Sequence, residues 1–130
     1  MGQTALGLLL EYLREERGFS LRDLSDLSKV DHAYIYRLEK GDKESPSEEV
    51  LSKLIRPLKA GKREADMLHY LAEHVETDPG LVDHVLRDQT ITYPVFAAAA
   101  QIAYRGNTRP EYATMIERIR RILGEDSGAR

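Results

Sequence analysis

Two short amphipathic helices joined by a tight turn constrain the fold of this chain more than any other feature. They occupy residues 19–41, FSLRDLSDLSKVDHAYIYRLEKG. Ser20 is a good N-cap, and Asp23 can reach back to the Ser20 amide in a capping box. Asp31 can cap the second helix, and Gly41 stands where that helix should stop. Helices this short cannot bury enough surface alone, so the sequence predicts a surrounding bundle.

The second helix of the pair is apolar on one face only. Leu24 and Leu27 mark the apolar face of the first helix, and Ile35 and Leu38 continue it on the second. The residues left largely outside that face are His32, Ala33, Tyr34, Tyr36 and Arg37. A helix presented in this way is typical of helix-turn-helix DNA binding.

A longer pattern surrounds this pair of helices. It comprises LREERG at residues 13–18, then Leu24, Val30, Ile35, Arg37-Leu38-Glu39 and Gly41, and a Pro-Ser-x-x-x-Leu segment from Pro46. With this pattern, residues 6–58 resemble the phage-repressor-type (XRE) helix-turn-helix family. Three positions depart from it: Leu21 replaces a Gln that often contacts phosphate, Ser25 replaces a small Ala, and Lys29 replaces the turn Gly.

The resemblance implies roles for individual residues. The base-facing candidates are His32, Ala33, Tyr36 and Arg37, and the DNA-backbone candidates are Ser20, Arg22, Lys40 and Lys43. Arg37 could bond guanine through two hydrogen bonds, although a phosphate contact or an intramolecular partner is the alternative. Tyr34 either faces the DNA or packs under the turn. The family also implies a structural, partly buried ion pair between Arg14 and Glu39.

The charge of the chain is unusual for a DNA-binding protein. The 130 residues carry a net charge of −3, and residues 1–60 hold 10 Lys and Arg against 11 Asp and Glu. Phosphate contacts usually need a basic excess. We therefore expect modest, salt-sensitive affinity per monomer, and a dimer that binds a two-part operator in double-stranded DNA.

The helical pattern predicts an all-α fold. We expect a five-helix, lambda-repressor-like DNA-binding domain at residues 1–76, a linker with a short helix at 77–92, and a helical dimerisation region at 93–124. Pro57 should end or kink the fourth helix near Arg56, and the fifth helix should run from about Arg63 to Glu76. The two last helices could instead cap the fifth helix of their own chain.

A second resemblance covers residues 102–123, IAYRGNTRPEYATMIERIRRIL. Its marks are Arg105-Gly106, Arg109-Pro110 and Arg121-Ile122-Leu123. This stretch is similar to the end of stress-response repressors that an ImmA/IrrE-type zinc metalloprotease cleaves. The resemblance implies cleavage between Tyr104 and Arg105, in or beside an exposed loop. Loss of the last helix would then dissociate the dimer and release it from DNA.

Other chemistry finds little support in the sequence. The chain has no Cys, no HExxH, no glycine-rich phosphate loop and no triad of nucleophilic catalysis, so we expect no catalytic site, no metal and no cofactor. No secretory signal or membrane-length apolar run is evident, which favours a cytoplasmic, nucleoid-associated protein. Two alternatives remain: an antitoxin that binds a toxin through its C-terminal helices and autoregulates its operon, and an interaction module that no longer binds DNA.

Overall fold

The computed structural model describes residues 3–42, 45–105 and 111–125, which form eight helices and no strand. The predicted all-α fold is confirmed. In chain order the helices are α1 Ala5–Glu16, α2 Leu21–Ser28, α3 His32–Lys40, α4 Glu48–Leu58, α5 Lys62–Glu73, α6 Pro79–Leu86, α7 Tyr93–Arg105 and α8 Tyr112–Leu123.

Two helix ends differ from the prediction. Helix α4 continues through Pro57 to Leu58 and ends where Lys59 adopts a left-handed conformation. Because Pro57 lies in the last turn, its missing N–H removes only one helical hydrogen bond there. Helix α5 stops at Glu73, and the backbone of His74 leaves the helical region. Val75, which lies inside the predicted helix, is beyond the observed end and 43% exposed.

Helix α1 is the centre of the packing. It contacts α3, α5 and α6, while α2 packs against α3 and α4. Four of its leucines are spaced for one helical face and are buried: Leu6, Leu9, Leu10 and Leu13. Helices α2 and α3 are thus held against a frame built by the rest of the domain, as their short length requires.

The segment expected to be a linker is packed against the first helix. Leu81, Val82 and Val85 of α6 are fully buried, and α6 lies against α1. Ile91, near the end of the predicted linker, is 1% exposed. Burial of these apolar side chains gives the segment a fixed place in the core, so it does not behave as a free tether.

An arginine of α5 fixes the connection between α6 and α7. The Nη1 group of Arg63 donates hydrogen bonds to the carbonyl oxygens of Val85 at 3.2 Å, Asp88 at 2.9 Å and Ile91 at 2.8 Å. Its Nη2 group forms an ion pair with Glu64 at 2.7 Å. These bonds tie the last turn of α6 and the segment that follows it, as far as Ile91, to α5.

The last two helices cover their own chain. Helix α7 packs on α5, where the buried ring of Phe96 meets Tyr70 edge-to-face at 5.6 Å. Helix α8 packs on α7, and its buried Arg120 donates to Thr90 Oγ1 at 2.7 Å. The tyrosine hydroxyl of Tyr112 also donates to Asp78. Within the chain, α7 therefore covers α5, and α8 covers α7.

Candidate DNA-binding surface

A reciprocal capping box starts α2. Ser20 Oγ accepts a hydrogen bond from the Asp23 amide at 3.0 Å, and Asp23 Oδ2 accepts one from the Ser20 amide at 2.9 Å. Leu21, which stands where the family often has a phosphate-contacting Gln, is half-buried against the core. Arg22, a predicted backbone contact at the start of α2, is exposed, as is the neighbouring Asp23.

The turn between α2 and α3 forms without glycine. Lys29 adopts the left-handed conformation, with φ 65° and ψ 25°, and its amide donates to the Ser25 carbonyl at 2.8 Å. This conformation costs an L-residue with a Cβ roughly 1–2 kcal/mol. The buried Ser28 accepts from the Val30 amide at 3.1 Å, and Val30 is itself buried. These contacts hold the turn against the local strain.

The start and the end of α3 are both fixed. Asp31 Oδ2 accepts hydrogen bonds from the amides of Ala33 at 3.1 Å and Tyr34 at 3.2 Å. At the other end Gly41 has φ 84°, and the Asp42 amide donates to the Arg37 carbonyl at 2.9 Å. The helix therefore presents a defined set of side chains over two and a half turns.

Burial and an ion pair set the orientation of α3. Ile35, Leu38 and Glu39 are its buried residues. Arg14 Nε lies 2.7 Å from Glu39 Oε2, and Arg14 Nη2 lies 3.0 Å from Glu39 Oε1. Arg14 Nη1 also donates to the Phe19 carbonyl at 2.8 Å, which ties in the turn before α2.

The electrostatics of this pair reflect its burial. The hydrogen bond to Glu39 is the main cause of a raised pKa at Arg14, so the guanidinium stays charged. Burial raises the pKa of Glu39 above its ordinary value, and the hydrogen bond from Arg14 opposes that shift. Loss of either partner would leave the other charge poorly solvated and unpaired.

Four side chains project from α3 away from the core. Ala33, Tyr36, Arg37 and Lys40 are exposed, whereas His32 and Tyr34 are half-buried and Tyr34 packs against the core. At about 100° per residue, the exposed four lie on the side of the helix opposite Ile35 and Leu38. Among the residues that the structure describes, none forms a hydrogen bond or ion pair with the guanidinium of Arg37. That side chain is available to a ligand.

The proposed backbone contacts have different environments. Ser20 Oγ is engaged in the capping box, and the ammonium of Lys40 lies 3.7 Å from Glu11 Oε2 and 5.8 Å from the ring centre of Tyr36. Lys43 lies outside the described residues.

Leu27, expected on the apolar face of α2, is 55% exposed, because the packing of α2 against α3 and α4 buries Leu24 and leaves Leu27 outside.

The sequence implied that α1 and α3 meet at Arg14 and Glu39, but it did not reveal how closely their backbones approach at Gly7. A Cβ at Gly7 would lie 2.5 Å from the Glu39 carbonyl oxygen and 2.6 Å from that of Leu38. Gln3 Nε2 donates to the same Glu39 oxygen at 2.8 Å. A glycine inside a helical apolar pattern is the one signal of this contact in the sequence.

A comparison with protein families identifies this part of the chain. Residues 5–68 match the model of the helix-turn-helix domain family. The chain carries an N-terminal helix-turn-helix domain. This domain supports a role as a DNA-binding regulator. Comparisons with curated proteins and with solved structures gave no match.

The C-terminal candidate residues lie at the end of α7. Tyr104 and Arg105 occupy the last turn of that helix, and the predicted loop that follows lies largely outside the described residues. Over the described ranges, no helix is both long and apolar enough to span a membrane, and no three His, Asp or Glu side chains are grouped as metal ligands would be.

Proposed function

We propose that the protein is a sequence-specific transcriptional repressor that reads its operator with α3. The observation that carries this proposal is the exposed face of α3, where Ala33, Arg37 and Lys40 lie and where the guanidinium of Arg37 has no hydrogen-bond or ion-pair partner among the residues that the structure describes. A guanidinium in the major groove can bond both acceptors of guanine. The half-buried His32 and the exposed Ala33 and Tyr36 are the other candidates for base contacts.

Replacement of Arg37 by Ala tests the reading role. We expect the variant to bind its own upstream DNA about 5- to 150-fold more weakly per half-site, the equivalent of one bidentate contact. Binding to unrelated DNA should fall much less. Arg87→Ala removes the same charge from an exposed position just after α6 and should leave both affinities unchanged. Equal binding of wild type and Arg37→Ala to the specific fragment would refute base reading.

A second part of the proposal is a homodimer formed through α7 and α8. An apolar groove of about 380 Å³ lies between these helices, lined by Ile102, Met115, Ile119 and Ile122. Ile122 is 80% exposed and Ile102 is 49% exposed, although both are large apolar side chains. Such exposure favours an interface.

The charges at this groove favour a second copy of the same chain as the occupant. Glu111 and Arg118 both border it and stand seven residues apart, which places them on one side of α8. When two copies of a helix pair antiparallel about a twofold axis, each acid meets the cation of the other copy. A near-neutral reading domain gains operator affinity from such pairing, because the second half-site is then held at high effective concentration.

Ile122→Glu tests the dimer. We expect this variant to sediment as a monomer at concentrations at which the wild type is a dimer. Val75→Glu places the same charge on another exposed apolar residue, outside the groove, and should remain dimeric. A monomeric wild type, or a dimeric Ile122→Glu, would contradict this assignment.

A third part of the proposal is inactivation by proteolysis between Tyr104 and Arg105. This bond lies in the last turn of α7, and the end of a helix opens at a lower free-energy cost than its interior. Cleavage would cut the covalent link to α8, which lines the dimer groove. Incubation with an ImmA/IrrE-type metalloprotease, followed by mass spectrometry, should give a fragment ending at Tyr104. Protease stripped of zinc is the control, and an intact chain with active protease would remove this part of the proposal.

A second candidate function is an antitoxin. The same apolar groove favours it, because a toxin could occupy the groove in place of a second copy. Coexpression with the product of a neighbouring gene distinguishes the two. A stable complex that blocks homodimer formation would favour the antitoxin, whereas an unchanged homodimer would favour the repressor.

A further inference from the structure

A carboxylate of α1 is held beside the reading face of α3. Glu11 Oε1 accepts a hydrogen bond from Gln3 Nε2 at 2.5 Å, and the same amide nitrogen donates to the Glu39 carbonyl of α3 at 2.8 Å. The second oxygen, Glu11 Oε2, lies 3.7 Å from the ammonium of Lys40. Gln3 therefore holds the Glu11 carboxylate in place, and the other oxygen of that carboxylate faces Lys40 of α3.

Where α1 crosses α3, Glu11 is the acid that pairs with Lys40. Two acids, Glu11 and Glu39, meet two cations, Arg14 and Lys40, where α1 crosses α3. Both carboxylate oxygens of Glu39 are bonded by Arg14 at 2.7 and 3.0 Å. The ammonium of Lys40 therefore has Glu11 as its near counter-ion in the free protein.

Lys40 belongs to the surface that would face DNA. At about 100° per residue it lies between Tyr36 and Arg37 on the helix circumference, at the centre of the exposed side of α3. Its ammonium lies 5.8 Å from the centre of the Tyr36 ring. It occupies the last turn of α3, so it would contact the sugar-phosphate backbone beside the bases that the earlier turns reach.

We propose that Glu11 restrains Lys40 in the free protein and thereby lowers operator affinity. A DNA phosphate must take the place of the Glu11 carboxylate before Lys40 can bind it. The carboxylate is then left without its counter-ion, near a second negative charge. Glu11 is thus an affinity-setting residue outside the recognition helix. This inference rests on the proposed DNA-binding function.

The expected size of the effect follows from the exposure of the pair. The side chain of Lys40 is 44% exposed and that of Glu11 is 26% exposed, so their attraction is screened by water and salt. Release of the restraint should raise affinity about two- to fivefold per half-site. The gain should shrink as salt rises, because screening weakens both the internal pair and the phosphate contact.

Glu11→Gln is the test, measured by fluorescence anisotropy with the operator fragment at low salt. The amide oxygen of Gln can still accept from Gln3, so the arrangement of the crossing is retained. We expect tighter binding by about two- to fivefold per half-site. Glu15→Gln removes the same charge one turn further along α1 and should have a smaller effect.

A double-mutant cycle with Lys40→Met decides whether the effect passes through Lys40. In the Lys40→Met background Glu11→Gln should give no gain. A full gain in that background, or a gain from Glu15→Gln of equal size, would show general charge repulsion and overturn the inference. Operator binding by the wild type with no gain in Glu11→Gln also overturns it but leaves the proposed function standing. A wild type that binds no DNA removes both.

Discussion

The contact between α1 and α3 at Gly7 allows a prediction whose sign depends on the structure. Gly7 is buried in the first turn of α1, against the last turn of α3. Helix propensity alone predicts that Gly7→Ala stabilises the protein by about 1 kcal/mol, because Ala is the better helix former. The packing predicts the opposite.

The added methyl group has no space. It would lie 2.5 and 2.6 Å from the carbonyl oxygens of Glu39 and Leu38, whereas ordinary carbon–oxygen contacts are about 3.3–3.6 Å. Both oxygens belong to the backbone of α3, so no side-chain rotation relieves the overlap. Overpacking typically costs 1–3 kcal/mol, and two clashes favour the upper part of that range. After about 1 kcal/mol of gained propensity, we expect a net loss of about 2 kcal/mol.

Urea unfolding followed by circular dichroism, with calorimetry for Tm, measures this loss. For a chain of this length about 2 kcal/mol corresponds to a Tm lower by about 7 °C. Gly80→Ala is the matched control, because its Cβ would meet only the carboxylate end of the Asp78 side chain, at 3.2 Å. We expect a change below about 1 kcal/mol there. A Gly7→Ala protein at least as stable as the wild type would refute the close approach of α1 and α3.

Three further predictions concern the turn, the buried pair and the response to acid. Lys29→Gly removes the strain of a left-handed backbone conformation at a residue with a Cβ. It should raise the free energy of unfolding by about 0.5–1 kcal/mol, seen as a higher urea midpoint; a lower midpoint would contradict the φ of 65° at Lys29. Glu39→Met leaves Arg14 unpaired and should cost about 3 kcal/mol in unfolding free energy, while Arg14→Met in the same chain should restore part of the loss. Hydrogen bonds from Thr90 lower the pKa of Asp88 below its ordinary 3.8, so the stability that this carboxylate contributes is present above pH 3.8 and is lost as pH falls through its folded-state value. Unfolding curves from pH 5 to pH 2 should therefore show a shallower decline for Asp88→Asn than for the wild type, and parallel declines would disprove the assignment.

The features that the sequence revealed most clearly are local ones. The capping box of Ser20 and Asp23 and the Gly41 helix stop depend on residues within four positions of each other. The exposed side of α3 is likewise visible, because the 3.6-residue period places Ile35 and Leu38 opposite Arg37. These signals need no knowledge of how the helices pack.

The features that could not be predicted from the sequence depend on residues far apart in the chain or on backbone groups as partners. The acceptors of Arg63 are three carbonyl groups, and a carbonyl has the same chemistry in every residue. The packing of α6 on α1 joins segments some 70 residues apart, and no pattern within α6 names α1 as its partner. Lys40 was a candidate phosphate contact, but its position beside Glu11 requires the crossing of two helices to be known.

The packed α6 has a consequence for the operator. A flexible linker would let the two DNA-binding domains of a dimer reach half-sites at several separations. Here α6 packs on α1 and α7 packs on α5. The proposed dimer, joined through α7 and α8, would therefore hold its two α3 helices at one fixed distance and angle. One extra base pair between half-sites shifts the second by about 3.4 Å and turns it by roughly 35° around the duplex. Such a dimer would select operators by the length of the spacer between the half-sites as well as by the bases that α3 contacts.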